Sequence, residues 1–114
     1  MIEKIIYEYL KTALSSDEIP VYMERPAQKP ACYVLLEKTG GGEDNHIKRA
    51  TIAVQSINTS LYNTAVLNEK VKDLMSAAIS LDEICKVELN SDYNYTDAST
   101  KEYRYQAIFD IKHY

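Results

Sequence analysis

Apolar residues near the start of the chain recur at three- and four-residue spacing. This puts Ile2, Ile5, Ile6, Tyr9, Leu10, Ala13 and Leu14 on one helical face, opposite Glu3, Lys4, Glu8 and Lys11. The pattern predicts an amphipathic first helix, ended by the polar stretch "SSDEIP". "IPVYMERP" then reads as a short strand flanked by prolines, which cannot donate to a central ladder, so it belongs toward a sheet edge. Pro26 and Pro30 bracket the connection that follows. From Ala31, "ACYVLLEKT" is rich in β-favouring residues, and "HIKRATIAVQSI" alternates Ala50, Ile52 and Val54 against Arg49, Thr51 and Gln55. These two segments predict an antiparallel hairpin joined across residues 39–45, a connection longer than the tightest turns. Its three glycines permit positive φ, and its tip is expected to be mobile.

The period changes in "NTSLYNTAVLNEKVKDLMSAAISL". Here Ala65, Leu67, Val71, Leu74, Met75, Ala78 and Ile79 form a helical stripe, with Thr59 or Ser60 placed to cap the first turn. "ICKVELNSDYNYTD" and "KEYRYQAIFDIKHY" predict two further strands. The last carries Tyr103, Tyr105, Ala107, Phe109 and Ile111 on one side and Arg104, Gln106, Asp110 and Lys112 on the other. The element order is αβββαββ. Two helices with one apolar stripe each, and strands with one apolar face, are best satisfied by an α+β two-layer sandwich: a mostly antiparallel sheet with both helices on one face. Residues 1–114 read as one domain, without internal repeat or dividing linker. The uncovered face, the strand ends and the edges must then be guarded or used for assembly.

Composition adds limits. With 46% apolar and 26% charged residues, the chain has enough apolar surface for a core and too few polar tracts to be disordered throughout. No apolar run approaches the ~20 residues needed to cross a bilayer, and Glu3 and Glu8 interrupt the start where a secretory signal would be apolar, so a cytoplasmic protein is expected. A net charge of −4, with basic residues dispersed among acids and apolar positions, argues against a general grip on nucleic acid. Cys32 and Cys85 lack the spacing of a zinc or redox pair and fall in apolar runs, so they read as buried free thiols.

Candidate chemistry is sparse. "TGGGEDNH" precedes a strand instead of a helix, and Glu43 and Asp44 would repel phosphate, so it does not read as a nucleotide loop. It is either a plain hairpin tip or a segment, Gly40, Gly41, Gly42, Glu43, Asp44 and Asn45, that orders against a partner. His46 and His113 have no second ligand at metal-binding spacing and read as surface or strand-end residues. Asp82, Glu83, Asp92 and Asp97 are not held together by any motif. "SDYNYTD" lacks the central glycine and terminal Glu of a calcium loop, so Asp92, Asn94 and Asp97 read as turn residues. No catalytic, cofactor-binding or metal-binding set emerges, and a non-enzymatic protein is expected. The oddity is ten tyrosines against one Phe and no Trp. Tyr93, Tyr95, Tyr103 and Tyr105 gather late in the chain, where such amphipathic rings either cover the sheet or serve an interface.

The segment "IPVYMERPAQKPACYVLLEKTGGGEDNHIKRATIAVQSINTSLYNTAVLNEKV", with the element order around it, resembles the tail terminator, or tail completion, proteins of long-tailed bacteriophages and prophages. The resemblance runs from about Ile2 to Tyr114. It rests on residues 20–24 and 30–34 for the proline-flanked strand pair, 39–45 for the Gly-rich tip, 53–56 for the strand end and 60–67 for the helix opening. It implies a structural protein that forms a ring, commonly a hexamer, which caps the tail tube, stops its growth and presents a surface to the head-side connector. The implied partners are further copies of the chain, the tube protein and the connector. DNA passes through the channel without specific binding, there is no membrane, and the protein resides in the host bacterial cytoplasm during assembly and then in the virion tail. The other reading from the residues is a monomeric or dimeric module whose open sheet face takes a peptide or small ligand.

Overall fold

A helix has one buried stripe and a strand one buried face, and in the computed structural model, which describes residues 1–114, both helices place their stripes on the same side of one sheet. The elements are α1 (Ile2–Leu14), β1 (Val21–Tyr22), β2 (Tyr33–Asp44), β3 (Ile47–Asn58), α2 (Leu61–Ala77), β4 (Ile84–Asn94) and β5 (Tyr103–His113). The five strands lie in the order β1-β2-β3-β5-β4. Only the β1–β2 pair is parallel; β2–β3, β3–β5 and β4–β5 are antiparallel. The predicted α+β sandwich and its αβββαββ order are therefore present. α2 carries the chain past β3 to the far edge, and β5 returns into the gap. Strands of 11 or 12 residues span roughly 40 Å at ~3.3 Å per residue, which accounts for the 44 Å long axis.

The core lies between this sheet face and the helices. Ile2, Ile6, Leu10 and Leu14 of α1 and Leu67, Val71 and Met75 of α2 close over Val34, Leu36, Ile52, Val54, Ala107, Phe109 and Ile111. Cross-strand register aligns these residues: Leu36 sits beside Val54 and Val54 beside Ala107, while Ile52 sits beside Phe109. The α2 stripe is rotated from the one predicted. Ile79 is exposed, Ala65 and Leu74 are half-buried, and Thr64 and Asn68 face the sheet instead. Each makes a side-chain hydrogen bond that offsets part of its burial, while Asn68 Oδ1 has no partner. Thr64 Oγ1 donates to the Ser60 carbonyl at 2.6 Å and Asn68 Nδ2 to Asp92 Oδ1 at 2.6 Å. Lys72 Nζ donates to the other Asp92 oxygen, also at 2.6 Å, so this carboxylate ties α2 to β4. Hydrogen bonds from Lys72 to Asp92 and Glu69 hold its ammonium above the ordinary lysine range. Asp92 is thus a strand residue and not the turn residue expected; Asn94 closes the same strand, and Asp97 does cap a turn, accepting from the Ser99 N–H and hydroxyl. Ser60 is the helix N-cap, accepting from the Asn63 N–H at 3.1 Å.

The hairpin connection differs from expectation. Gly40, Gly41, Gly42, Glu43 and Asp44 continue β2, paired with β3 beyond a bulge at Thr39, and none of the glycines has positive φ. The turn is the two-residue Asn45–His46, with φ of 48° and 67°. Two consecutive left-handed residues make the tight turn that matches strand twist, and Asn tolerates that conformation well. Space is tight at Gly42. A Cβ on Gly42 would sit 2.9 Å from Nη2 of Arg49, whose guanidinium lies across that position. Cys32 and Cys85 are free thiols, half-buried and not fully enclosed.

Two substitutions test this arrangement. Phe109→Ala is expected to cost about 3–5 kcal/mol in urea unfolding, as for an aromatic ring removed from a closed core. His46→Gly is expected to stabilise by about 1 kcal/mol, because it removes a left-handed β-carbon at the turn; destabilisation would place the turn elsewhere.

Candidate interaction surface

The sheet face away from the helices is built in cross-strand rows by the same register. Arg49, Lys112 and Lys86 form one row; Thr51, Asp110 and Glu88 the next; then come Ala53, Ile108 and Ser91, followed by Leu35, Gln55, Gln106 and Tyr93, and lastly Tyr33, Ile57 and Arg104. Like charges directly opposite one another repel, and the rows offset this by pairing along the strands. Lys86 pairs with Glu88 at 2.7 Å, and Thr51 Oγ1 and Asn90 Nδ2 both donate to Asp110.

One end of this face is covered. The crossover from β1 to β2, residues 23–32, passes over it and closes a small second core of Tyr33, Leu35 and Ile57, with Tyr22 packed edge-on against Tyr33. Glu102 pins the crossover. Its Oε1 accepts from Arg25 Nη1 at 3.1 Å and lies 3.5 Å from Arg104 Nη1, while its Oε2 accepts from the Tyr33 hydroxyl at 3.3 Å and lies 3.6 Å from Lys29 Nζ. Burial alone would raise the Glu102 carboxyl. The Arg25 hydrogen bond and the charges of Arg25, Lys29 and Arg104 outweigh burial and hold it below the ordinary carboxylate range. Burial, then the Glu102 charge, push the Tyr33 phenol up.

The four late tyrosines do not form one patch. Tyr93 and Tyr95 are exposed on the open face, edge to face at 5.9 Å, and the Arg104 guanidinium lies 4.9 Å from the Tyr95 ring. Tyr103 and Tyr105 alternate to the helix side and are half-buried. No protein-family model matches this chain, and no curated protein matches it. Glu43, Asp44 and Asn45 are exposed at the end of the β2–β3 arm, some distance along the strands from Tyr93 and Tyr95, so the two predicted groups occupy opposite ends of the sheet. His46 is in the turn. His113 is at a strand end and 93% buried, its Nδ1 3.2 Å from the Tyr114 carbonyl oxygen. Asp82, Glu83, Asp92 and Asp97 do not converge.

The sheet edges are unlike each other. β1 pairs only with Val34 and Leu35, which leaves the outer edge of β2 unpaired along residues 36–44, including the three glycines. β4 forms the other edge and is interrupted by irregularities at Cys85 and Asn90. Bulges of this kind blunt an edge, whereas the glycine stretch presents backbone with little side-chain cover.

Sequence reading missed Glu102, Arg25, Lys29, Gln55 and Gln106. The alternation of Arg104, Gln106, Asp110 and Lys112 marked one polar face, but nothing local paired Glu102 with residues 69 and 77 positions earlier.

Because the folded Glu102 carboxyl titrates below its unfolded value, its stabilisation is complete above the ordinary Glu range near pH 4.5 and is lost as pH falls through the lower folded value. Glu102→Gln is expected to cost about 1–2 kcal/mol near neutrality. It should also flatten the acid limb of stability against pH, measured by denaturant titration; an unchanged acid limb would remove Glu102 from this role.

Proposed function

We propose that the protein is a non-enzymatic structural component of a phage or prophage tail, of the tail-terminator kind, acting as a ring that caps the tube and meets the head-side connector. The observation that carries this reading is the pair of unlike free edges on opposite sides of one sheet. A contact between two different edges is heterologous, and repetition of such a contact closes into a ring when its rotation divides a full turn. The exposed Tyr93 and Tyr95, the Gly40–Gly42 edge and the acidic Glu43 and Asp44 tip then supply distinct surfaces for copies, tube and connector. The net charge of −4 suits a channel through which DNA slides without adhering. No helix is long and apolar enough to cross a membrane.

Deleting the gene from the phage or prophage that carries it is expected to leave heads and tails unjoined, with tails of irregular length in electron micrographs. Joined tails of uniform length refute the assignment. Light scattering is expected to show a ring of about six chains of 13.0 kDa once tubes are present. Replacing Gly40, Gly41 and Gly42 by alanine should leave a cooperative fold, since strand φ accepts alanine and the flexible Arg49 side chain can move aside from a Cβ at Gly42, while impairing joining. A monomer that binds a small ligand and has no effect on tails would support the binding-module reading instead.

A further inference from the structure

Gln55 is 9% exposed and stands at the end of a hydrogen-bond chain that crosses three strands. Gln106 Nε2 donates to the Tyr93 hydroxyl, and Gln106 Oε1 accepts from Gln55 Nε2 at 3.1 Å. Gln55 Oε1, the other end of this amide, has no partner. A buried amide oxygen without a donor marks a place where a donor is wanted.

The same residue lines a cavity of about 310 Å³ between the crossover and the sheet, together with Met23, Glu24, Arg25, Leu35 and Glu37. Leu35 is buried and Met23 is exposed, which gives the cavity an apolar wall and an apolar rim. Its charges are unbalanced. Arg25 is engaged by Glu102 and the Tyr33 hydroxyl, whereas Glu24 and Glu37 form no ion pair.

The geometry points to a binding site for a guanidinium group, the arginine side chain of a partner polypeptide. The alkyl stem lies against Leu35 and Met23, and the planar head donates to Gln55 Oε1 and to the carboxylates of Glu37 and Glu24. One carbonyl and two carboxylates are acceptors only, and a guanidinium offers five donors in a fixed fork, which an ammonium does not. A polypeptide fits better than a free small molecule because the cavity adjoins the place where β1 leaves the β2 edge. An extended segment along residues 36–44 would pass its mouth. This inference does not depend on the tail reading.

The test is a nuclear magnetic resonance titration of the whole chain with a blocked tripeptide carrying arginine between two valines, run beside the same peptide with citrulline, lysine or glutamate at the centre. The arginine peptide is expected to produce saturable shifts at the Gln55 side-chain amide and at residues 23–25 and 37, with the citrulline peptide bound about tenfold more weakly. Glu37→Gln and Glu24→Gln, both at exposed positions, should weaken the arginine peptide by several-fold and leave the spectrum of the free protein otherwise unchanged. Gln55→Leu should weaken it further. Absence of saturable shifts at these residues, equal binding of the citrulline or lysine peptide, preference for the glutamate peptide, or indifference to Glu37→Gln would each overturn the proposal.

Discussion

Two helices buried on a single face of the sheet leave the opposite face without a layer to cover it, and most of the architecture follows from that asymmetry. Ile52, Phe109, Met75 and Leu10 are removed from water on one side. On the other side the same strands present polar side chains that meet water and pair across the strands. The rows of Arg49, Lys112 and Lys86 beside Thr51, Asp110 and Glu88, and the amide chain from Gln55 through Gln106 to Tyr93, are the outcome. A sheet face without helices can stay in water when its side chains are polar, and the half-buried ones among them pair with one another.

Where the open face is apolar, at Tyr33, Leu35 and Ile57, the β1–β2 crossover covers it, and one carboxylate holds the crossover down. Glu102 gathers Arg25, Lys29, Arg104 and the Tyr33 hydroxyl, so three cations that would repel one another share a single counter-charge. This latch belongs to structure, and its consequence for interaction is indirect. By fixing the crossover near the end of β1 it shapes the cavity beside Gln55 and releases the rest of the β2 edge. Packing at one end of the sheet thereby sets what is available at the other.

Local pattern carried much of this. The three-and-four spacing of Ile2, Ile6, Leu10 and Leu14 and the alternation of Ala50, Ile52 and Val54 placed the first helix and the central strand with their buried faces correctly assigned. The second helix was harder, because Thr64 and Asn68 are polar yet buried, and only their partners Ser60 and Asp92 make that tolerable. The glycines misled for a similar reason. Three in a row ordinarily signal a loop, but here β3 supplies a full ladder beside them and the turn falls on Asn45 and His46.

Helix positions, strand faces, the α+β class and the edge placement of the proline-flanked strand were all determined within short windows, since side-chain period and backbone restriction act over neighbouring residues. The insertion of β5 between β3 and β4, the Glu102 cluster, the orphaned Gln55 oxygen and the free β2 edge were decided by contacts between residues far apart in the chain. Such contacts leave no periodic mark, because hydrogen bonds and ion pairs depend on where atoms meet in space and not on how many residues separate them.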